Sequence, residues 1–201
     1  MATDNLNYES FTGFSPYATV GPYRADDYWI LPENEPVQLL RGRLIVSPSP
    51  NILHQLIVMR LGELFSAIAD QTDGFSVVAP MDTVLSEHTI PQPDVIYVRS
   101  ANKEIIEDRV RGVPDLVIEV LSPSTARVDR LEKMDLYAQY GIAEYWIVDP
   151  ESHVFEFLIL KDGSYSEETA QSDHYISSQF PEVVIDLAEF WQVVDRRNPY
   201  H

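Results

Sequence analysis

The chain has 201 residues, 45% of them hydrophobic, which is enough for one domain with a substantial core and requires no second. It contains no Cys, so disulfide frameworks, thiolate metal sites and cysteine nucleophiles are excluded together, and any chemistry falls to carboxylates, Lys, His, Ser, Tyr or a metal held by oxygen and nitrogen. A formal charge of -18 argues against broad affinity for phosphate backbones, although a local basic patch can still act, because screening confines surface charges to about 8 to 10 Å.

No uninterrupted apolar run approaches the roughly 18 to 20 residues of a membrane span. The opening MATDNLNYES lacks the charged and apolar regions of a signal peptide, so the expectation is a soluble, cytoplasmic protein with no membrane partner. Residues 1–27 hold neither a helical nor an alternating period, but they carry Tyr8, Phe11, Phe14, Tyr17 and Tyr23. Such an aromatic-rich segment reads as an arm docked on a partner, and the partner expected is a second copy of the chain, giving a homodimer. A single domain is expected over 28–194, with a polar tail over 195–201.

In VQLL-RG-RLIV, Arg41-Gly42 is a turn between two strands of a hairpin. Ser47-Pro48-Ser49-Pro50 stops the second strand and Asn51 caps a helix from Ile52 to about Asp70, whose Leu53, Leu56, Ile57, Leu61, Leu64 and Ile68 recur at helical spacing. Short strands follow at Phe75 to Ala79 and Thr83 to Leu85, then Val95 to Val98 after Pro93-Asp94, then a charged helix or loop from Ala101 to Val110. LVIEVL, from Leu116, is apolar at every position but Glu119, the pattern of a strand covered on both faces. After the Ser122-Pro123-Ser124-Thr125 turn, a helix is predicted over Asp129 to Tyr140, ended by Gly141. Tyr145 to Val148 is another buried strand, and Val154 to Leu160 pairs across an Asp162-Gly163 turn with the run that follows. A short strand at Val183 to Ile185 and a helix from Leu187 to Val194 close the domain. The order makes a mixed α/β fold with a central sheet flanked by helices.

The charged residues in apolar surroundings carry the functional signal. Metal-assisted phosphodiester hydrolysis needs one or two carboxylates for a hard cation, a group that orients water, and a positive charge to offset the one that builds on phosphate. Asp94, Glu119 and Lys133 supply that inventory, and the backbone carbonyl of Val120 can add an oxygen. On the predicted helix, Lys133, Tyr137 and Tyr140 share a face, with Arg130 on the turn before. Each residue also has a structural role open to it. Glu119 and Lys133 can form a buried ion pair with no chemistry, Asp94 and Asp115 can each shape a turn after proline, and Tyr137 and Tyr140 can be core. His54 reads as a surface or capping histidine, with the edge of a site as the other reading. Ser122 and Ser124 lack a Gly-x-Ser-x-Gly elbow and read as turn residues.

Taken together, Pro93-Asp94, PDLVIEVLSPST, the Asp129, Lys133, Tyr137 set and GIAEYWIVDP resemble the Uma family of restriction endonucleases, within the PD-(D/E)XK nuclease superfamily, over roughly Pro36 to Leu160. The resemblance implies a restriction-endonuclease-like fold, dependence on Mg²⁺ or Mn²⁺, and hydrolysis of DNA. It makes Asp94 the acid of the PD signature and Glu119 that of the second half-motif. The superfamily lysine would stand at Leu121, and the resemblance implies that Lys133 takes its place from the following helix. Relatives carry acids in the segment matching VQLLRGRL, where this chain has Gln38, Arg41 and Arg43. One acidic ligand is therefore missing, the two arginines become candidate phosphate contacts, and the alternative to a working endonuclease is an impaired nuclease-fold module that binds nucleic acid or protein.

Overall fold

In a computed structural model of the protein, which describes residues 20–200 other than 33, 34, 48, 124, 125 and 127, the chain opens on a short helix, α1 (Ala25–Trp29). Most of the arm expected over 1–27, including Tyr8, Phe11, Phe14 and Tyr17, lies outside the described residues. Its described end is helical, and Tyr28 of α1 is buried with its hydroxyl donating to the Val37 carbonyl at 3.1 Å. The predicted hairpin is present as β1 (Val37–Leu40) and β2 (Arg43–Val46). Arg41 and Gly42 both have positive φ, 49° and 72°, as a two-residue hairpin turn requires. A side chain at Gly42 would also strike the Gly21 carbonyl at 2.3 Å, so glycine there lets the preceding segment lie against the turn.

Helix α2 (Ile52–Thr72) begins where Asn51 accepts the His54 N–H at 2.9 Å. By length and composition alone α2 could cross a membrane, but Ile57, Leu61, Phe65 and Ala69 are buried in the core of this domain. The remaining elements are β3 (Phe75–Val78), β4 (Thr83–Val84), β5 (Val95–Val98), a 3₁₀ turn (Ser100–Ile105), β6 (Val110–Arg111), β7 (Leu116–Val120), α3 (Met134–Tyr140), β8 (Glu144–Asp149), β9 (Val154–Lys161), β10 (Ser164–Glu168), β11 (His174–Ile176), β12 (Val184–Asp186) and α4 (Leu187–Arg197). Six strands form the central sheet in the order β10-β9-β8-β7-β5-β3. Within it β7 and β8 are parallel, joined by the crossover through α3, and their neighbours pair antiparallel.

The alternation of side chains along β7 sets the layers. Leu116, Ile118 and Val120 pack with Trp146 and Val148 beneath α2 and α4. Val117 and Leu121 pack on the opposite face with Leu136 and Tyr137 of α3 and with Tyr145 and Ile147. Glu119 must therefore project toward α3. The result is the three-layer mixed α/β architecture expected, with helices on both faces of the sheet.

Two elements depart from expectation. The stretch read as the first half of one regular helix is wound wide, as a π-helical segment over Val128–Lys133 that passes into α3. Its polarity is inverted: Leu131 is 39% exposed, whereas Asp129, Glu132 and Lys133 are buried. The tail expected from residue 195 is helical as far as Arg197, whose guanidinium meets Glu63 of α2 at 2.8 Å, and Arg196 and Arg197 lie at the helix end that favours positive charge.

Candidate active site

The parallel pair ends in a polar cluster because β7 outruns β5. The last register pair between them is Val95 with Ile118, so the backbone of Val120 is not taken up by the β5 ladder. Its N–H donates instead to Asp94 Oδ2 at 2.7 Å, and its carbonyl points to the same side of the strand. The Asp94 backbone carbonyl accepts from Ala79 at 2.9 Å, which pins the residue at the mouth of β5. The second oxygen-bearing group of the cluster, the Glu119 carboxylate, is reached from the helical side: Oε1 accepts from Lys133 Nζ at 2.8 Å and from the Tyr137 hydroxyl at 2.7 Å. The structure thus brings together all five residues predicted for the site, Asp94, Glu119, Val120, Lys133 and Tyr137. Leu121 is buried among apolar side chains of the α3 layer, so the lysine charge comes from the helix and not from the strand.

The electrostatics of the cluster follow from burial. Glu119 and Lys133 are each 3% exposed. Burial pushes the Glu119 carboxyl above its usual range; Lys133 pulls it back, and the negative charges of Asp129 and Asp94 push it up again. For Lys133 burial acts to lower the ammonium, but Glu119 and Asp129 outweigh it and hold the lysine protonated. Burial and the neighbouring Glu119 charge keep the Tyr137 phenol protonated as a donor.

Asp129, named from the sequence only as a helix start and within the family resemblance, joins the cluster. Its Oδ1 lies 3.3 Å from Lys133 Nζ, and the available signal was spacing, four residues before Lys133 and eight before Tyr137. His54 is a correction: it is buried, not on the surface, and its Nε2 lies 3.3 Å from Asp94 Oδ2, so the site-edge reading holds. Tyr140 shares the sequence face of Lys133 but its hydroxyl bonds Ser86 at 2.7 Å, and Arg130 pairs with Glu156 and Asp149, so neither belongs to the cluster. Asp115 accepts the Arg99 N–H and serves its turn, as expected. Ser122 lines the site cavity, and Ser124 lies outside the described residues.

The arginines of the hairpin are the second correction. Arg41 pairs with Asp135 and Gln139, and Arg43 with the buried Glu132, so both clip the hairpin to the α3 side instead of facing a phosphate. Gln38 does face the site cavity, where its Oε1 accepts the Gln92 N–H at 2.9 Å and its Nε2 donates to Ser47 Oγ at 2.7 Å.

Asp94, Glu119, Asp129 and Lys133 open onto one cavity of about 750 Å³, a size suited to a small ligand or a nucleotide. Tyr28 and Trp29 of α1 and Arg109 line the same cavity. Among the described residues no group of three or more His, Asp and Glu side chains is arranged to hold a metal ion by side chains alone. The donor set does fit a hard divalent cation, which takes one or two carboxylates and completes its shell with water and substrate oxygens. Asp94 and Glu119 are the carboxylates that could serve, with the Val120 carbonyl as a backbone oxygen beside Asp94.

Residues 25–188 match the model of the Uma2 family, described as "Putative restriction endonuclease". No curated protein matches the chain. Among solved structures, the crystal structure of a "putative nuclease" from Anabaena variabilis is similar, with a TM-score of 0.71 at 17% identity, covering 86% of this chain and 99% of that one. At that identity the likeness establishes the fold.

Proposed function

Since the chain belongs to the Uma2 family of "putative restriction endonucleases", we propose that it hydrolyses DNA phosphodiester bonds with a divalent cation, Mg²⁺ or Mn²⁺, at the Asp94–Glu119–Lys133 cluster. The observation that carries this reading is a lysine and two carboxylates, one on β7 and one just before the adjacent β5, converging on one nucleotide-sized cavity. Asp94, Glu119 and the Val120 carbonyl would hold the cation, which when bound supplies Lewis acidity toward a phosphate oxygen and acidifies water. Lys133 stays protonated between Glu119 and Asp129 and places a positive charge beside the carboxylates, where negative charge gathers as a phosphodiester is attacked. Tyr137 holds the Glu119 carboxylate in one orientation through its hydroxyl, and the Val120 N–H does the same for Asp94.

One observation favours a second reading, a nuclease-fold module that binds nucleic acid or protein without turnover. Gln38 stands in the cavity with both ends of its amide satisfied and offers no charge to a cation. Calorimetric titration with Mn²⁺ tests the first reading: saturable binding is expected in the parent and its loss in Asp94→Asn, with thermal melting to verify that the variant is folded. Absence of binding in the parent overturns metal-dependent hydrolysis. Cleavage of plasmid and of single-stranded circular DNA with Mg²⁺ and with Mn²⁺ then separates the two readings, because the module binds the ion or DNA and leaves both substrates intact.

A further inference from the structure

We infer that the nucleic acid taken by this site is an unpaired, single-stranded DNA segment held by base stacking on the Trp29–Arg109 wall of the cavity, and not a duplex gripped along its backbone; the inference rests on the nuclease reading of the same site. Two independent observations lead to it. The first concerns positive charge. Of the 14 Lys and Arg residues, Arg127 lies outside the described residues, and every other but Arg196 sits in an ion pair with a carboxylate. A duplex is held by neutralising several phosphates at once, and that requires a row of cations not already neutralised. With a net charge of -18 and its cations committed, the described surface offers no such row.

The second observation is the wall itself. The Arg109 guanidinium lies 4.3 Å from the centre of the Trp29 ring, and Trp29 meets Tyr28 edge-on at 4.8 Å. Arg109 is oriented by Asp82, with Nε to Oδ2 at 3.2 Å, and Asp82 is itself fixed by the Tyr28 hydroxyl at 2.7 Å and by Gln92 Nε2 at 2.9 Å. Both side chains keep part of their surface open, 35% for Arg109. An indole and a guanidinium held in place beside the proposed cleavage site form a stacking platform, which the open faces of unpaired bases can use and the stacked bases of a duplex cannot. The wall and the carboxylate cluster line the same cavity, so one bound strand can engage both.

The test is binding in EDTA, independent of hydrolysis, by fluorescence anisotropy of a labelled ten-nucleotide oligo-dT against a duplex of twenty base pairs. The oligonucleotide is expected to bind at least tenfold more tightly than the duplex, with a salt slope no steeper than about -2 where a duplex-gripping protein shows several times that. Trp29→Leu should weaken oligonucleotide binding roughly tenfold and Trp29→Phe should keep most of it, with melting curves confirming that both fold. Duplex binding equal to or tighter than the oligonucleotide's, or Trp29→Leu binding like the parent, overturns the inference. Cleavage of the oligonucleotide in Mn²⁺ unaffected by Trp29→Leu would overturn it while leaving the nuclease reading standing, and oligonucleotide binding without cleavage of any DNA would do the reverse.

Discussion

Replacing Lys133 by Met should destabilise the fold by about 3 to 5 kcal/mol at neutral pH, the range for removing one partner of a buried ion pair. The ammonium lies 2.8 Å from Glu119 Oε1 and 3.3 Å from Asp129 Oδ1, and the two acids are 3% and 2% exposed. Its removal leaves both carboxylates inside without that cation, so the loss belongs to the upper part of the range. For a domain of this size it corresponds to a fall in Tm on the order of 10 °C. The pH dependence identifies the cause. Burial already raises the Glu119 carboxyl and Lys133 pulls it down, so the variant raises it further. A carboxyl raised in the folded state contributes stability that is complete below its unfolded pKa, about 4 to 5, and is lost as pH rises through the folded value. The deficit of Lys133→Met should therefore be greatest at about pH 9 and shrink toward about pH 5, and adding Glu119→Gln should recover part of it above neutrality. Urea unfolding across that range measures both. A deficit below about 1 kcal/mol, or one that does not change with pH, would refute the buried pair as the origin.

Arg43→Met should cost about 2 to 3 kcal/mol in urea unfolding, less than Lys133→Met, because Glu132 is buried but the Arg43 side chain is 19% exposed. Glu144 is fully buried on the other face of the sheet, where its carboxylate accepts from Trp146, Tyr175 and Ser177. Glu144→Ala leaves three donors unpaired and should cost at least about 3 kcal/mol, whereas Glu144→Gln keeps an acceptor oxygen and should cost about half as much. Burial raises the Glu144 carboxyl, so its contribution is present in acid and lost as pH rises through the folded value, and Glu144→Gln should flatten that slope in thermal melts. Asn51→Ala removes the cap of α2 and should cost about 1 kcal/mol with no change in cleavage. Gln38→Glu adds a carboxylate to the cavity while keeping an oxygen for the Gln92 N–H, and Mn²⁺ affinity measured by calorimetry should rise several-fold.

The sheet was legible from residue pattern because its strands are buried on both faces. Val95 to Val98, Leu116 to Val120 and Tyr145 to Val148 each appear in the sequence as near-continuous apolar runs, and each is a strand of the central sheet. The hairpin turns at Arg41-Gly42 and Asp162-Gly163 were legible from their dipeptides, since both demand positive φ at two successive residues. Glu119 and Lys133 stood out for an equally local reason: a charge within an apolar run needs a partner, and the next helix offered one.

What lay beyond the sequence was decided by contacts between residues far apart in the chain. His54 looks like a surface residue at the start of a helix, and only the packing of α2 against β5 brings its ring to Asp94. Arg41 and Arg43 look like free cations until the hairpin folds onto the α3 side and Asp135 and Glu132 take them. The inverted polarity of Val128–Lys133, with Leu131 outside and three charged residues inside, runs against the apolar-inward rule of helix reading. It becomes stable only because Glu119 and Arg43 supply opposite charges from other elements. The residues of the candidate site were thus set by composition and spacing along β7 and the helix that follows. Which of them share a proton donor, which cations are already neutralised, and which other side chains line the cavity with the carboxylates were set by tertiary structure, because electrostatic pairing depends on distance in space and not on separation along the chain.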